Sequence, residues 1–368
     1  MAPPATPLSA EAPDAKADGS LNDGLLWRNE MRPELTRLAI ALLATAAVAG
    51  AAEAQTTQCV NDAPNPYHMV SGWAHTTRPW AQTNNVFVDP KDNVWVFDRC
   101  QDGGCTGSTV APIWELSPDG KVLKNFGAGF IFPHAVVPDK DGNVWVVDGQ
   151  AKDGKGNQVT KLSPDGKVLL ALGKAGGTGK GLDVFDQPTS VAIAPNGDIF
   201  VSEGHAPTFG NSRIMKFDKN GKFIATFGQL GSGDGEFRGP HVLAFDSQGR
   251  LFVADRSNSR VDIFDQKGKF IAAWKQFGRP SGIWIDKNDI LYVADSESEE
   301  APGKDTNNPG CKRGVRGGSV KTGKVDFYIP PPPVSDPRLP PPEGVAVDSH
   351  GNIYLAAVQA KEVYKYAK

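Results

Sequence analysis

The sequence predicts an all-β fold, a six-bladed β-propeller, from three observations. A short polar turn rich in Gly, Asn and Asp recurs six times, and an apolar strand centred on Trp, Phe or Tyr follows each copy. The copies lie roughly 40–60 residues apart, which is the period of propeller blades. The chain has 41 Gly and 29 Pro in 368 residues and no long amphipathic helical pattern, as many short strands require. The six turns are residues 90–93, 140–143, 195–198, 247–250, 287–289 and 349–352.

Each repeat predicts a small antiparallel sheet, and residues 227–270 are the clearest copy. There an apolar run, a tight turn, a second run of β-branched and aromatic residues, a polar loop and a third run follow in order. Residues 69–73 resemble the outer strands but have no blade of their own, and the last blade stops one strand short after residues 363–366. We therefore predict that 69–73 pairs with 363–366, which closes the ring and removes an exposed sheet edge.

The fifth repeat contains an irregular insertion that we place at residues 296–322, and a proline-rich segment at 330–342 leads into the sixth. Long loops in compact domains are often functional, so the insertion is either a surface loop or a lid over the channel.

The N-terminal region predicts export. Residues 1–30 are expected to be a disordered leader, or a mis-assigned start upstream of Met31. Residues 31–54 have the basic start, short apolar run and small-residue cleavage site of a signal peptide, with a membrane anchor as the alternative. The propeller then occupies residues 55–368. We expect a periplasmic or secreted monomer without a stable membrane span in the mature chain.

The cysteines and the charge balance limit the environment and the partners. Four cysteines in an exported chain predict two disulfides, Cys100 with Cys105 and therefore Cys59 with Cys311, although free thiols are an alternative. A net charge of −3 without a basic face argues against nucleic acid as a partner.

One repeat position predicts a metal site. Alignment of the six first strands places a polar residue at the same point of every blade: Asn84, His134, Thr189, His241, Ser281 and Glu343. His134, His241 and Glu343 come from alternate blades and would converge on the axis. Two imidazoles and a carboxylate suit zinc or another divalent transition metal. The alternative is that each residue only caps its strand.

A second repeat position follows the second strand and faces the same mouth of the channel. It contains Arg99, His205 and Arg256 in blades 1, 3 and 4. The arginines could hold a carboxylate or an oxyanion, or could form ordinary ion pairs with neighbouring acids.

At these residues the chain resembles the NHL-repeat propellers, and among them the peptidyl-α-hydroxyglycine α-amidating lyase family. The motifs are Phe-Pro-His134, Phe-Val-Ser-Glu-Gly-His205, Gly-Pro-His241 and Val-Ala-Asp-Arg256, and the resemblance covers residues 82–366. It implies zinc on His134 and His241, a catalytic arginine at Arg99, and a calcium ion held by the backbone carbonyls of Val86 and Val136.

Two departures from the family pattern imply altered chemistry. Glu343-Gly344 replaces the third zinc histidine and a calcium-binding aspartate, and His205 replaces the catalytic tyrosine. We therefore expect a lyase that breaks the C–N bond of a hemiaminal-type substrate, a small molecule or peptide, with His205 as the base. Arg99 or Arg256 would hold the anion. The competing hypothesis is a non-catalytic propeller that binds a peptide, glycan or protein on the same face.

Overall fold

A computed structural model describes residues 58–331 and 342–368, and the leader and signal peptide predicted at 1–54 lie outside these ranges. Within them, no helix is long and apolar enough to cross a membrane.

The described residues form 24 strands in six four-stranded sheets. One N-terminal strand precedes the first complete blade, and each blade then follows in chain order. The N-terminal strand is β1 (His68–Val70). Blade 1 is β2 (Thr83–Val88), β3 (Val94–Asp98), β4 (Ile113–Leu116) and β5 (Val122–Phe126). Blade 2 is β6 (Pro133–Pro138), β7 (Val144–Lys152), β8 (Lys155–Leu162) and β9 (Val168–Leu172). Blade 3 is β10 (Pro188–Ile193), β11 (Ile199–Glu203), β12 (Arg213–Phe217) and β13 (Phe223–Phe227).

The last three blades repeat this order, and a 3₁₀ turn at Arg256–Asn258 lies between the second and third strands of blade 4. Blade 4 is β14 (Pro240–Phe245), β15 (Leu251–Asp255), β16 (Arg260–Phe264) and β17 (Phe270–Trp274). Blade 5 is β18 (Gly282–Ile285), β19 (Ile290–Asp295), β20 (Gly314–Ser319) and β21 (Val325–Ile329). Blade 6 is β22 (Gly344–Val347), β23 (Ile353–Ala357) and β24 (Glu362–Ala367), completed by β1. The predicted six-bladed propeller is confirmed.

The predicted closure of the ring is also confirmed. β1 pairs antiparallel with β24, with Met69 opposite Tyr366. Just beyond β1, the ring of Trp73 packs on Tyr354 of blade 6 with centroids 4.9 Å apart. Its indole N–H donates to the carbonyl of Pro118 in blade 1 at 2.9 Å. One side chain therefore joins the first and last complete blades.

The insertion in blade 5 is shorter than predicted. Residues 314–319, which we assigned to it, form strand β20, whose backbone is paired on both sides. The three glycines in this strand concealed it, because glycine weakens strand propensity. Phe327 fills the space that a side chain at Gly317 would need, since a Cβ there would lie 1.9 Å from its ring. The insertion therefore comprises residues 296–313.

Both predicted disulfides are present. Cys100 is bonded to Cys105, beside Arg99, and Cys59 is bonded to Cys311 in the insertion. The second bond joins the segment before blade 1 to blade 5 across 252 residues of sequence. It ties the insertion to the body of the propeller.

In blades 1 to 5, a buried carboxylate fixes the start of the blade to the end of its second strand. The backbone N–H of Phe132 donates to Asp148 at 2.6 Å and that of Arg238 to Asp255 at 2.7 Å. The same contact recurs at Asp98, Glu203 and Asp295. In these five blades the contact lies just before the polar position of the first strand, so it holds that position in place.

Blade 4 has a second buried acid, Asp262, that makes stability depend on pH. Arg260 Nε lies 3.0 Å from both Asp255 Oδ2 and Asp262 Oδ1, so one guanidinium faces two buried carboxyl groups. Burial, followed by the neighbouring charge of Asp255, raises the pKa of Asp262 to about 9. Asp262 is therefore protonated in the folded chain at neutral pH and ionised in the unfolded chain. The contribution of Asp262 to the free energy of unfolding therefore falls as pH rises from about 4 towards 9.

We predict that Asp262→Asn reduces this pH dependence. An amide keeps the neutral, hydrogen-bonding form at every pH. Between pH 5 and 8 the free energy of unfolding of the wild type should fall relative to that of the variant by up to about 1.4 kcal/mol per pH unit. Urea unfolding at several pH values measures this, with Asp234→Asn, an exposed acid in the loop that leads into the same blade, as the control. Equal slopes for wild type and Asp262→Asn would contradict the assignment.

Candidate metal centre

The six site residues predicted from the sequence meet at one mouth of the central channel. Four of them, Arg99, His205, Arg256 and Glu343, line a cavity of about 160 Å³. His134 and His241 lie directly beside His205, with ring centroids 5.2 and 5.4 Å from its own. The residues come from five blades and from both repeat positions, so only the closed ring brings them together.

Side chains at the first repeat position bond to the backbone of the next blade. This makes a chain of hydrogen bonds around the channel, each 2.6 or 2.7 Å long. The bonds run from Asn84 to the carbonyl of His134, from His134 to that of Thr189, from Thr189 to that of Pro240 and from His241 to that of Ser281. These bonds are the strand capping that is the alternative to metal binding at this position. Each imidazole, however, uses only one of its two nitrogens for them.

The remaining nitrogens of three imidazoles lie close together, and that of His205 also faces Arg256 Nη2 at 3.4 Å. One ligand nitrogen from each of His134, His205 and His241 lies within 4.8 Å of the other two. The Nδ1 atoms face backbone carbonyls, those of Thr189, Ala206 and Ser281, at 2.6–2.7 Å. A carbonyl only accepts, so each Nδ1 carries the proton and each Nε2 presents a lone pair.

Two of these lone pairs have no partner. His134 Nε2 and His241 Nε2 are buried and accept no hydrogen bond, and each residue is only 3% exposed. Burial lowers the pKa of His134 and His241 well below the usual value, and that of His205 to about 3. The rings are therefore neutral. Buried acceptors without a donor are costly, and a cation bound between them would remove that cost.

This donor set fits a catalytic type of zinc site. Three neutral imidazoles with an open fourth position are a known ligand set for zinc, and metal-binding histidines usually donate their other N–H to a backbone carbonyl or carboxylate. Both conditions are met by His134, His205 and His241. The structure thus has three histidines that could form a metal site, without identifying the metal.

Glu343 lies at the edge of this cluster and is not among the three mutually close ligands. Its Oε1 is 3.3 Å from His241 Nε2 and 3.3 Å from Arg256 Nη1. Burial raises the pKa of Glu343, while the two arginines act against that shift. A carboxyl group between an imidazole lone pair and a guanidinium is placed to exchange a proton.

Arg99 brings a positive charge into the cavity that no described carboxylate neutralises by a direct ion pair. It is 7% exposed, its Nε donates to the carbonyl of Pro133 at 3.3 Å, and its guanidinium stacks 4.0 Å from the Phe132 ring. Burial lowers the pKa of Arg99 to about 10, so it stays charged at neutral pH. The site can therefore accept an anion there.

Arg256 is held by the blade 5 insertion as well as by Glu343. Glu297 lies 3.9 Å from Arg256 Nε and 3.1 Å from Arg279 Nη2. Burial opposes ionisation of Glu297, but Arg256 and Arg279 outweigh it and lower its pKa. Arg279, 1% exposed, also donates to the backbone carbonyl of Arg256 at 2.9 Å. The insertion lies against the site and fixes one of its arginines.

Sequence reasoning missed Phe132, Ser296, Glu297, Val358 and Gln359, which also line the cavity. Phe132 belongs to the Phe-Pro-His134 motif, so its aromatic side chain beside a site histidine could have indicated it. Ser296 and Val358 follow the second strands of blades 5 and 6, so extending the second repeat position to all blades would have found them. Glu297 had no repeat signal, because it belongs to the insertion.

The carbonyls of Val86 and Val136, predicted as calcium ligands, lie on adjacent first strands, β2 and β6. The aspartate that the family pattern has in blade 6 is replaced by Gly344 in this chain. A Cβ at Gly344 would lie 3.0 Å from Asn84 O and 3.1 Å from Val86 N, so an aspartate there needs a shift of the backbone. The calcium site remains a prediction.

Comparison with known proteins defines the class first. The NHL repeat family matches residues 237–264, which lie largely in blade 4. A streptogramin B lyase structure has the same fold, with a TM-score of 0.53 at 14% identity over 82% of this chain and 97% of that one. Together with the six sheets, this makes the chain a six-bladed β-propeller with an NHL repeat matched in blade 4.

Within that class the predicted resemblance to amidating lyases is confirmed. Peptidyl-alpha-hydroxyglycine alpha-amidating lyase 1 of Drosophila melanogaster is 37% identical over 156 residues, 41% of this chain and 26% of that protein. Peptidyl-glycine alpha-amidating monooxygenase B of Xenopus laevis is 35% identical over 208 residues, 50% of this chain and 23% of that protein. The match thus spans about a quarter of the length of these relatives.

Proposed function

We propose that this chain is an exported, metal-dependent carbon–nitrogen lyase that acts on a hemiaminal-type substrate at the end of a peptide or small amide. The observation that supports this most is the pair of buried, unpartnered imidazole nitrogens on His134 and His241 beside His205. A histidine cluster with only a structural role would leave these two buried nitrogens unpaired, which costs free energy. A propeller that only binds a ligand does not need them. The two disulfides fit an oxidising compartment outside the cytoplasm.

For the ligands we propose His134, His205 and His241, with Glu343 beside them as the proton acceptor. The sequence alone favoured Glu343 as the ligand and His205 as the base, and the mutual distances of the three histidines support the exchange of these roles. Zinc or another divalent metal bound there would act as a Lewis acid towards a substrate oxygen.

The side chains of the cavity account for the remaining requirements of the reaction. A carboxylate on the substrate would pair with Arg99, with Phe132 covering the other side of the guanidinium. Glu343 takes the proton of the substrate hydroxyl group, and the C–N bond breaks. The electron pair of that bond stays on nitrogen, while the carbon becomes an aldehyde. Nitrogen then receives the proton, so an amide and an aldehyde leave without any oxidant. Arg256, held by Glu297, keeps the Glu343 carboxylate in place.

We expect the zinc-loaded protein to convert benzoyl-α-hydroxyglycine to benzamide and glyoxylate. Arg99→Ala should lower kcat/KM by about 100-fold or more, mainly through KM, because it removes the only carboxylate partner proposed. Lys91→Ala, an exposed cation at the opposite face, is the matched control. Chromatographic separation of benzamide measures the rate. Zinc-loaded protein with no turnover above buffer would contradict the lyase and favour the binding propeller.

A further inference from the structure

A second cavity, of about 700 Å³, occupies the central channel and opens at the mouth opposite the histidines. First strands of all six blades contribute to its wall. Most of the wall is aliphatic, for example Val86, Val137, Ile193, Leu243, Ile283 and Val345. Phe87 and Trp284 meet edge to face within this wall, with ring centroids 4.8 Å apart. This cavity shares no lining residue with the cavity beside the histidine cluster.

The size and lining of this channel suit an apolar ligand. Binding pockets for small molecules generally have volumes of about 300–1,000 Å³ and mainly apolar walls. Water gains few hydrogen bonds in such a space, so an apolar group that displaces it binds favourably. Because the first strands of all six blades line this channel, an extended chain can lie along its axis and contact every blade.

The mouth of the channel between blades 2 and 3 has an excess positive charge. Two of its lysines are paired, Lys161 with Asp139 at 2.9 Å and Lys140 with Asp141 at 2.8 Å. Lys219 lines the same mouth, and no carboxylate among the described residues lies within ion-pair distance of it. The aliphatic wall and the unpaired ammonium group are therefore parts of one continuous cavity.

We propose that the channel binds an amphiphilic anion, a medium-length aliphatic carboxylate, with its chain along the axis and its head group at Lys219. The apolar wall supplies most of the affinity, because each methylene group buried there adds to it, and Lys219 selects the charge. This site is separate from the histidine centre and does not depend on the proposed lyase activity.

Calorimetric titration of the full chain with sodium decanoate, below its micelle concentration, tests the proposal. We expect saturable one-to-one binding with a Kd below about 1 mM, and a binding enthalpy that becomes more favourable on warming, as burial of apolar surface requires. Lys219→Glu should weaken decanoate binding about five- to tenfold and leave 1-decanol binding unchanged. Lys222→Glu, in the same turn but outside the cavity wall, is the matched control.

A substitution inside the channel tests the location. Ala244→Phe, which adds volume to the wall, should reduce binding of both decanoate and decanol at least tenfold, while the zinc content of the protein stays that of the wild type. Absence of saturable decanoate binding, or equal binding by wild type and a folded Ala244→Phe, would overturn the site. Equal effects of Lys219→Glu and Lys222→Glu would overturn the role of Lys219. If the wild-type protein binds decanoate but shows no lyase activity, only the proposed function is contradicted.

Discussion

Replacing His134 or His241 by alanine is expected to abolish stoichiometric zinc binding, with an affinity loss of at least about 100-fold. Each imidazole is buried, carries its proton on Nδ1 and presents an unpartnered Nε2 to the same point. Removing one ring takes away a ligand and one of the uncompensated acceptors, so the apo protein should stay folded. Competition titration with a zinc chelator measures the affinity, and circular dichroism checks the fold.

The remaining variants separate the two assignments of the third ligand. His205→Ala should lose zinc as His134→Ala does, whereas Glu343→Gln should retain it and lose turnover. His350→Ala is the matched control, because its side chain is 77% exposed. If Glu343→Gln loses zinc while His205→Ala keeps it, Glu343 is the ligand and the original assignment from the sequence holds.

The largest effect on stability is expected from Trp73→Ala. The indole is 7% exposed, packs on Tyr354 of the last blade and donates to Pro118 of the first. Its loss leaves a cavity and removes the hydrogen bond to Pro118 where the ring closes, which should cost about 3–5 kcal/mol. Urea unfolding of the wild type and the variant gives the difference.

Leu123→Ala is the control for that experiment, since Leu123 is also apolar but 50% exposed on an outer strand. Its effect should stay within about 0.5 kcal/mol. A Trp73→Ala effect as small as this would mean that closure depends on the β1–β24 hydrogen bonds alone.

The sequence predicts most of this fold because each blade repeats the same local signals. A glycine or asparagine turn between two apolar runs specifies a hairpin wherever it occurs, and six copies specify six blades. The exception is β20, where Gly314, Gly317 and Gly318 hide a strand whose pairing and packing are set by neighbouring strands. Tertiary contacts override propensity there.

The histidine cluster was only partly predictable for a geometric reason. His134 and His241 share a repeat position, so their convergence follows from blade symmetry. His205 belongs to a different position and reaches the cluster through a loop after β11, whose path periodicity does not specify. Likewise, Glu297 contacts Arg256 from an insertion that no other blade has. Symmetry predicts which residues face the channel, and loop conformation decides which atoms meet.

Crystallography of the zinc-loaded protein, with anomalous scattering recorded at the zinc edge, tests the central claim most directly. The account predicts one strong peak per chain about 2.0–2.2 Å from the Nε2 atoms of His134, His205 and His241, with Glu343 beside it and a fourth position open towards Arg99. A peak coordinated by His134, His241 and Glu343, with His205 turned away, would contradict the proposed ligand set. Absence of any peak at the three histidines after loading would contradict the metal centre itself.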